Sequence, residues 1–201
     1  MNLTNFDRTN YNLAKSRCPA NTIITQSELR VQQLTVAAQS DYNFELLTNA
    51  NTTLVAQPEQ ETLAQPDRFF ITSIGMFIGV EGAANEMKLQ SSEQGAAAAG
   101  DYYTLYNGKV NLSIDNYKFL DNLPAWNHYV NKETAAGPLW SEDLSKDGFF
   151  PLLPMVSLDG NQKVSFSLNT VGGMAAVDAN TYVVFRLRGW LAQGCAGYSQ
   201  V

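Results

Sequence analysis

The chain contains the stretch YVVFRLRGWL at residues 182–191. Successive side chains of an extended backbone point to opposite sides, so alternating apolar and polar residues are typical of a β-strand with one buried face. In this stretch one face collects three apolar side chains, Val183, Phe185 and Leu187. The stretch KVSFSLN at residues 163–169 repeats the pattern with Val164, Phe166 and Leu168. Both runs predict strands of an antiparallel sheet with one face against a core.

Further strand patterns follow one another from residue 67 at the spacing of a β-sandwich. The apolar run at residues 69–80 predicts one long strand with a bulge at Gly75. Two turn sequences, Asn107-Gly108 and Asp159-Gly160-Asn161, predict hairpins. The sequence therefore predicts an all-β fold, an antiparallel jelly-roll β-sandwich of roughly six to eight strands.

Residues 1–66 differ from the rest of the chain. They are rich in Asn, Gln and Thr and show no clean strand alternation. Residues 27–38 fit either a short helix capped by Ser27 or a strand, and the pattern leaves both open. We therefore predict an N-terminal extension, or arm, at residues 1–66, ahead of a jelly-roll β-sandwich domain at residues 67–201.

The composition bounds the classes of function. Charged residues make up 16% of the chain, below the roughly 25% usual for soluble domains. A neutral polar surface suits packing against many copies of one protein, although secreted adhesins and lectins share this bias. The net charge of −6 argues against direct nucleic-acid binding, which needs a basic surface. No apolar run approaches the length needed to span a bilayer, and the first residues lack a signal-peptide pattern.

No pattern in the sequence indicates catalysis. His128 is the single histidine and has no cysteine or nucleophile-elbow serine near it, so a surface or satisfied loop position is expected. Glu142, Asp143, Asp147 and Asp159 fall in loops, but their spacing in sequence does not indicate a catalytic carboxylate pair, and Asp159-Gly160 is better explained by turn chemistry. We expect a protein that is not an enzyme, with no catalytic residue, metal or cofactor.

Cys18 and Cys195 are the two cysteines of the chain, and one lies near each end. We expect two free, unrelated thiols; a disulfide, the alternative, would close nearly the whole chain into a loop. Two cysteines and one histidine do not suggest a zinc site.

A candidate subunit interface lies on the outer face of the stretch at residues 182–191. Arg186 and Arg188 share this face with Val184 and Trp190. Two guanidinium groups beside apolar side chains are typical of an interface that supplies carboxylates or carbonyls, and a solvated face is the alternative.

The irregular, aromatic stretch at residues 115–150 supplies a second set of candidate interface residues: Trp126, Tyr129 and Trp140. Such rings fill the open end of a sandwich or are buried against a neighbouring subunit. Alternatively, they stack on sugar rings as in a lectin. The exposure of these rings in the final assembly distinguishes the two hypotheses, because a sugar-binding platform must be in contact with water and a subunit interface must be dry.

The order of these features resembles the jelly-roll capsid proteins of tailless, membrane-containing bacterial viruses. The resemblance covers residues 67–195 and is one of layout. It rests on the polar arm, the strand at residues 69–80, Leu105-Tyr106-Asn107-Gly108-Lys109-Val110, Asp121-Asn122-Leu123-Pro124, and the runs at residues 152–168 and 183–189. A single jelly roll with an arm matches this length better than a double one.

The resemblance implies a virion structural protein that assembles into a capsid or decorates one. Its partners would be copies of itself, as a trimer or larger, and other virion proteins, with an internal viral membrane possible nearby. It would be located in the virion after assembly in the host cytoplasm. The alternative function is a carbohydrate- or receptor-binding β-sandwich, such as a head fibre or an adhesin tip.

Overall fold

Most of the regular structure is β-strand, as the alternating patterns predict. The computed structural model describes residues 5–44, 63, 67–81, 87–90, 102–129, 148–160, 162–175, 177 and 180–195. The strands are β1 (Ile23–Leu34), β2 (Asp41–Phe44), β3 (Arg68–Glu81), β4 (Met87–Gln90), β5 (Lys109–Ile114), β6 (Tyr117–Pro124), β7 (Phe149–Asp159), β8 (Val164–Asn169) and β9 (Thr181–Gln193). The helices are α1 (Asn5–Ser16), α2 (Tyr103–Tyr106) and the 3-10 helix Ala125–His128.

The described strands form two antiparallel sheets. In the five-stranded sheet β1, β9 and β3 lie side by side, and the far edge of β3 pairs first with β7 and then with β4. The four-stranded sheet has the order β2-β8-β5-β6. Every described strand pair is antiparallel. The all-β prediction is confirmed, and the arrangement is that of a sandwich, with one face of each sheet turned to a shared core.

The core contains the side chains that alternation assigned to it. The inward-facing buried residues of β5, β8 and β9 belong to one apolar cluster: Val110, Leu112, Ile114, Phe166, Leu168, Val183, Phe185 and Leu187. At its centre the ring of Phe185 lies 4.8 Å from that of Phe166 and 5.0 Å from that of Phe44. Each fully buried ring stabilises the fold by about 1.5–3 kcal/mol relative to an exposed one.

The long strand β3 changes its alternation near its start. Phe69 and Ile71 face the core, and after a bulge between Ile71 and Ser73 the core positions continue at Ile74. The bulge was predicted at Gly75 and lies elsewhere. Gly75 serves another purpose, because a Cβ there would lie 2.7 Å from the ring of Phe77.

Two stretches of the predicted arm are strands of the sandwich. Strand β1 pairs with β9 along its whole length, and β2 pairs with β8. The sequence shows no clean strand alternation before residue 67, yet both stretches are strands, and for residues 27–34, where helix and strand were left open, the strand alternative holds. Residues 45–62, also part of the predicted arm, lie outside the described residues.

Neither predicted hairpin turn joins two paired strands. Helix α2 ends at Asn107, whose φ of −78° is helical, and the hairpin of β5 and β6 turns at residues 115–116 instead. Gly108 allows a close approach, since a Cβ there would lie 2.8 Å from Leu168 Cδ1. Asp159-Gly160 precedes a crossing between the sheets, because β7 and β8 belong to different ones.

A disulfide joins Cys18 to Cys195, so the expectation of free thiols is wrong. Helix α1 packs on the outer face of the five-stranded sheet, where Ala14 and both cysteines share a buried cluster with Trp190. The chain after α1 therefore meets the end of β9 directly. The sequence separation of 177 residues hid a pairing that only the meeting of the first and last strands reveals.

We predict that the disulfide contributes about 2–5 kcal/mol to the free energy of unfolding, because it closes a very long loop in the unfolded chain. Urea unfolding with and without a thiol reductant measures this difference. The double variant Cys18→Ser/Cys195→Ser is the control. Its free energy of unfolding should equal that of the reduced wild-type protein and should not change when the reductant is added. Equal stability of the oxidised and reduced wild-type proteins would contradict the prediction.

Candidate functional site

The outer face of β9 carries the residues that the sequence placed there. Val184, Arg186, Arg188 and Trp190 point away from the core, while Val183 and its alternate neighbours point into it. This face divides into an arginine-rich part and a part covered by helix α1. The two parts differ in what each side chain contacts.

The arginine-rich part is organised around one carboxylate from β1. Register places Glu28 opposite Arg188 and Arg30 opposite Arg186. The Glu28 carboxylate accepts hydrogen bonds from Arg186 Nε, from Arg186 Nη2 at 2.8 Å and from Arg188 Nε at 3.3 Å. We call Glu28, Arg30, Arg186 and Arg188 the arginine cluster. It contains two more cations than anions, on a chain whose net charge is −6.

Aromatic rings flank the same guanidinium groups. The Arg188 guanidinium carbon lies 3.7 Å from the ring centroid of Phe149, and that of Arg186 lies 5.6 Å from the centroid of Phe77. The negative face of an aromatic ring attracts a cation at these distances. Desolvation by burial, and then the charge of Arg186, hold the pKa of Arg30 below its ordinary value, while Glu28 acts to raise it.

From the sequence we expected a neighbouring subunit to supply carboxylates or carbonyls to these arginines. The chain itself supplies one carboxylate, that of Glu28. Glu28 was missed because β1 was not recognised as the neighbour of β9. Trp190 is 6% exposed, because α1 covers it with Tyr11, whose ring lies 5.2 Å away edge-on. The burial of Trp190 therefore needs no second subunit.

A second candidate surface lies at one end of the sandwich. Three aromatic side chains, Tyr103, Trp126 and Tyr129, form a cluster that we call the aromatic platform. The rings of Trp126 and Tyr129 are stacked, 4.5 Å apart at 11°. The Tyr103 ring lies 5.8 Å from that of Tyr129, and their hydroxyl oxygens are 3.3 Å apart. Trp126 remains 47% exposed.

The two short helices hold the aromatic platform in place. The backbone amide of Ala125 donates to the carbonyl of Gly108 at 2.9 Å, which ties the 3-10 helix to the end of α2. Ala125 is buried, so the next residue, Trp126, faces outward. Beneath the platform the buried ring of Tyr106 meets Tyr129 edge-on at 5.2 Å. The platform therefore stands on the core rather than on a free loop.

His128 is the inner anchor of the same helix and is fully buried, not a surface residue. Its Nδ1–H donates to the carbonyl of Gly148 at 3.3 Å, and its ring meets Phe185 edge-on. Within the described residues Nε2 has no hydrogen-bond partner. Burial lowers the pKa of His128 to about 4, against the opposing effect of the Gly148 hydrogen bond. At neutral pH the imidazole is therefore uncharged, and it packs in the interior of the protein.

The structure brings together Trp126 and Tyr129 as the sequence suggested and adds Tyr103. The third predicted ring, Trp140, lies outside the described residues. Among the residues that are described, no group of three or more His, Cys, Asp or Glu side chains could hold a metal ion. No helix in that part of the chain is long and apolar enough to cross a membrane.

Comparisons with models of protein families, with curated proteins and with solved structures find no match for this chain. Three features of the molecule itself bear on its function. These are the order of the strands, the arginine cluster on the outer face of the five-stranded sheet, and the aromatic platform at one end of the sandwich.

We predict that Glu28→Gln destabilises the protein by about 1–3 kcal/mol, because it leaves the partly buried guanidinium groups without a counter-charge. Urea unfolding measures the loss. The matched control is Asp121→Asn, which removes the carboxylate of an exposed pair with Lys118 and should change stability by less than about 0.5 kcal/mol. Equal effects of the two variants would show that the arginine cluster does not depend on Glu28.

We predict that stability falls with pH below the ordinary pKa of histidine. Because the pKa of His128 is about 4 in the folded protein and 6.5 in the unfolded chain, the unfolded state takes up the proton first as pH falls. The stability is full above pH 6.5 and is lost towards pH 4, with a change of about 2 kcal/mol between about pH 7 and pH 5.

Chemical unfolding across this range measures the dependence. His128→Asn removes the single histidine and should flatten the curve between about pH 7 and pH 5, where carboxylates contribute little. A variant curve with the same slope as the wild type would show that His128 is not the group responsible.

Proposed function

We propose that the protein is a virion structural protein built on a jelly roll, which assembles into a viral capsid or decorates one. The observation that carries the proposal is the order of the strands. It is β1-β9-β3-β7 in one sheet, where β4 also pairs with β3 beyond the stretch that β7 occupies, and β2-β8-β5-β6 in the other. Jelly rolls of eight strands occur in viral capsid proteins, and also in lectins and cupins.

The pairing of the outermost strands of the series supports the jelly-roll part of the proposal. The first strand of the series lies beside the last, since β1 pairs with β9, and the second lies beside the last but one, since β2 pairs with β8. Strands β3 and β5 then occupy the other edges of β9 and β8. Two Greek keys that interleave in this way are the topology of the double-sheet jelly roll.

The outer face of the four-stranded sheet favours contact with further copies. Asn169 Nδ2 donates to Asp41 Oδ1 at 2.7 Å, and Asn111 Nδ2 donates to Asn169 Oδ1 at 2.8 Å. These hydrogen bonds fix the amides of Asn111 and Asn169 and the carboxylate of Asp41 in a row across β5, β8 and β2. A neighbouring subunit can bond to the two amides, and the Asp41 carboxylate is already paired with Asn169, which lowers the cost of covering it.

The arginine cluster offers a complementary contact. Arg186 and Arg188 share the one carboxylate of Glu28, and their remaining positive charge on an acidic chain would attract an acidic surface of another copy or of another virion protein. Arg186 and Arg188 therefore remain candidate interface residues, with Glu28 fixing their positions from within the chain. Trp126 and Tyr129 are exposed enough at the sandwich end for a similar role.

The proposed role also implies the partners of the protein and its location. Its partners are copies of itself, as a trimer or larger, and other virion proteins, near an internal membrane if the particle has one. It has no catalytic role, no cofactor and no direct contact with nucleic acid. It belongs in the virion after assembly in the host cytoplasm.

The test is the mass of the protein in solution, measured by light scattering over a concentration series. We expect a trimer or larger particle. Ser165→Glu places a charge on the outer face of β8 and should weaken assembly by about tenfold or more, since an unpaired interfacial charge costs over 1 kcal/mol. Asn21→Glu, an exposed position before β1, is the control and should assemble normally. A wild-type protein with the mass of one chain at every concentration would contradict the proposal.

A further inference from the structure

The aromatic platform leaves one large ring partly open to solvent. Tyr129 covers one face of the Trp126 indole at a centroid distance of 4.5 Å, and Trp126 remains 47% exposed. The indole is held from below, because Tyr129 itself rests on the buried Tyr106. A ring fixed in this way loses little conformational entropy when a ligand stacks on it.

The two segments that form the platform are uncharged. The segments that supply the platform, residues 102–108 and 124–129, contain no Asp, Glu, Lys or Arg. The titratable group beneath it, His128, is buried and neutral at pH 7. Polar groups at the surface are the neighbouring hydroxyls of Tyr103 and Tyr129 and the exposed amides of Asn107 and Asn127.

A pyranose ring presents complementary chemistry. The C–H groups on one face of the sugar carry partial positive charge, which the negative face of an indole attracts, and its hydroxyls bond to amides and phenols. A charged ligand would meet no counter-charge within these two segments. We propose that the aromatic platform binds a neutral sugar, stacked on Trp126, in addition to any role in a shell.

Saturation-transfer NMR on the full chain tests this site with three neutral probes: methyl β-D-glucopyranoside, methyl β-D-galactopyranoside and methyl β-N-acetyl-D-glucosaminide. We expect saturation of the ring C–H protons of at least one glycoside. Trp126→Ala should weaken its binding by about tenfold or more, as truncation of a central aromatic contact does. Trp126→Phe should restore part of the signal, because it returns an aromatic face.

The matched control is Tyr117→Ala, which removes an aromatic side chain that is 74% exposed on β6, outside the platform, and should leave the signal unchanged. Absence of saturation transfer to all three glycosides, or an unchanged signal in Trp126→Ala, would overturn the proposal. So would a lower oligomer mass in Trp126→Ala without glycoside binding by the wild type, which would identify the platform as a contact between copies. Ser165→Glu should keep glycoside binding, so failure of assembly and failure of this site are distinguishable.

Discussion

The antiparallel pairing of β1 with β9 is the constraint on which the other contacts depend. It brings the start of the chain beside its end, so that Glu28 comes to lie between Arg186 and Arg188. At the end of the same pair, Cys18 reaches Cys195. Helix α1 then lies across the outer face of the sheet. Without this pairing the outer face of β9 would expose two unneutralised guanidinium groups, which are costly to bury against apolar rings.

The strands that could be predicted are those whose two faces differ. In β9 the alternation of apolar residues such as Phe185 with polar ones such as Arg186 was enough to predict the strand, because one face of the strand packs in the core and the other does not. For β1 the sequence could not decide between helix and strand, since its core face is short: Val31 is buried there and Leu29 is partly covered. The polar residues on its outer face contact side chains of β9, so their pattern is explained only by the pairing with β9.

The candidate sites were predictable to the extent that local composition defines them. The outward position of Arg186 follows from alternation, and Trp126 and Tyr129 stand out as aromatic residues in a stretch without strand pattern. Glu28 and Tyr103 were missed because each reaches its site through a contact between distant segments. The hairpin predicted at Asn107-Gly108 was wrong for a related reason. A side chain at Gly108 is excluded by the neighbouring strand β8, because a Cβ there would lie 2.8 Å from Leu168 Cδ1.

The bond between the two cysteines turns most of the chain into a covalent ring. A single peptide-bond cleavage between Cys18 and Cys195 opens this ring but releases no fragment, and both pieces stay attached until the sulfurs are reduced. Strands on either side of such a cut would also remain paired within their sheets. The molecule can therefore be nicked once and keep its mass, and a protease would need two cuts to remove any part of the sandwich between these residues.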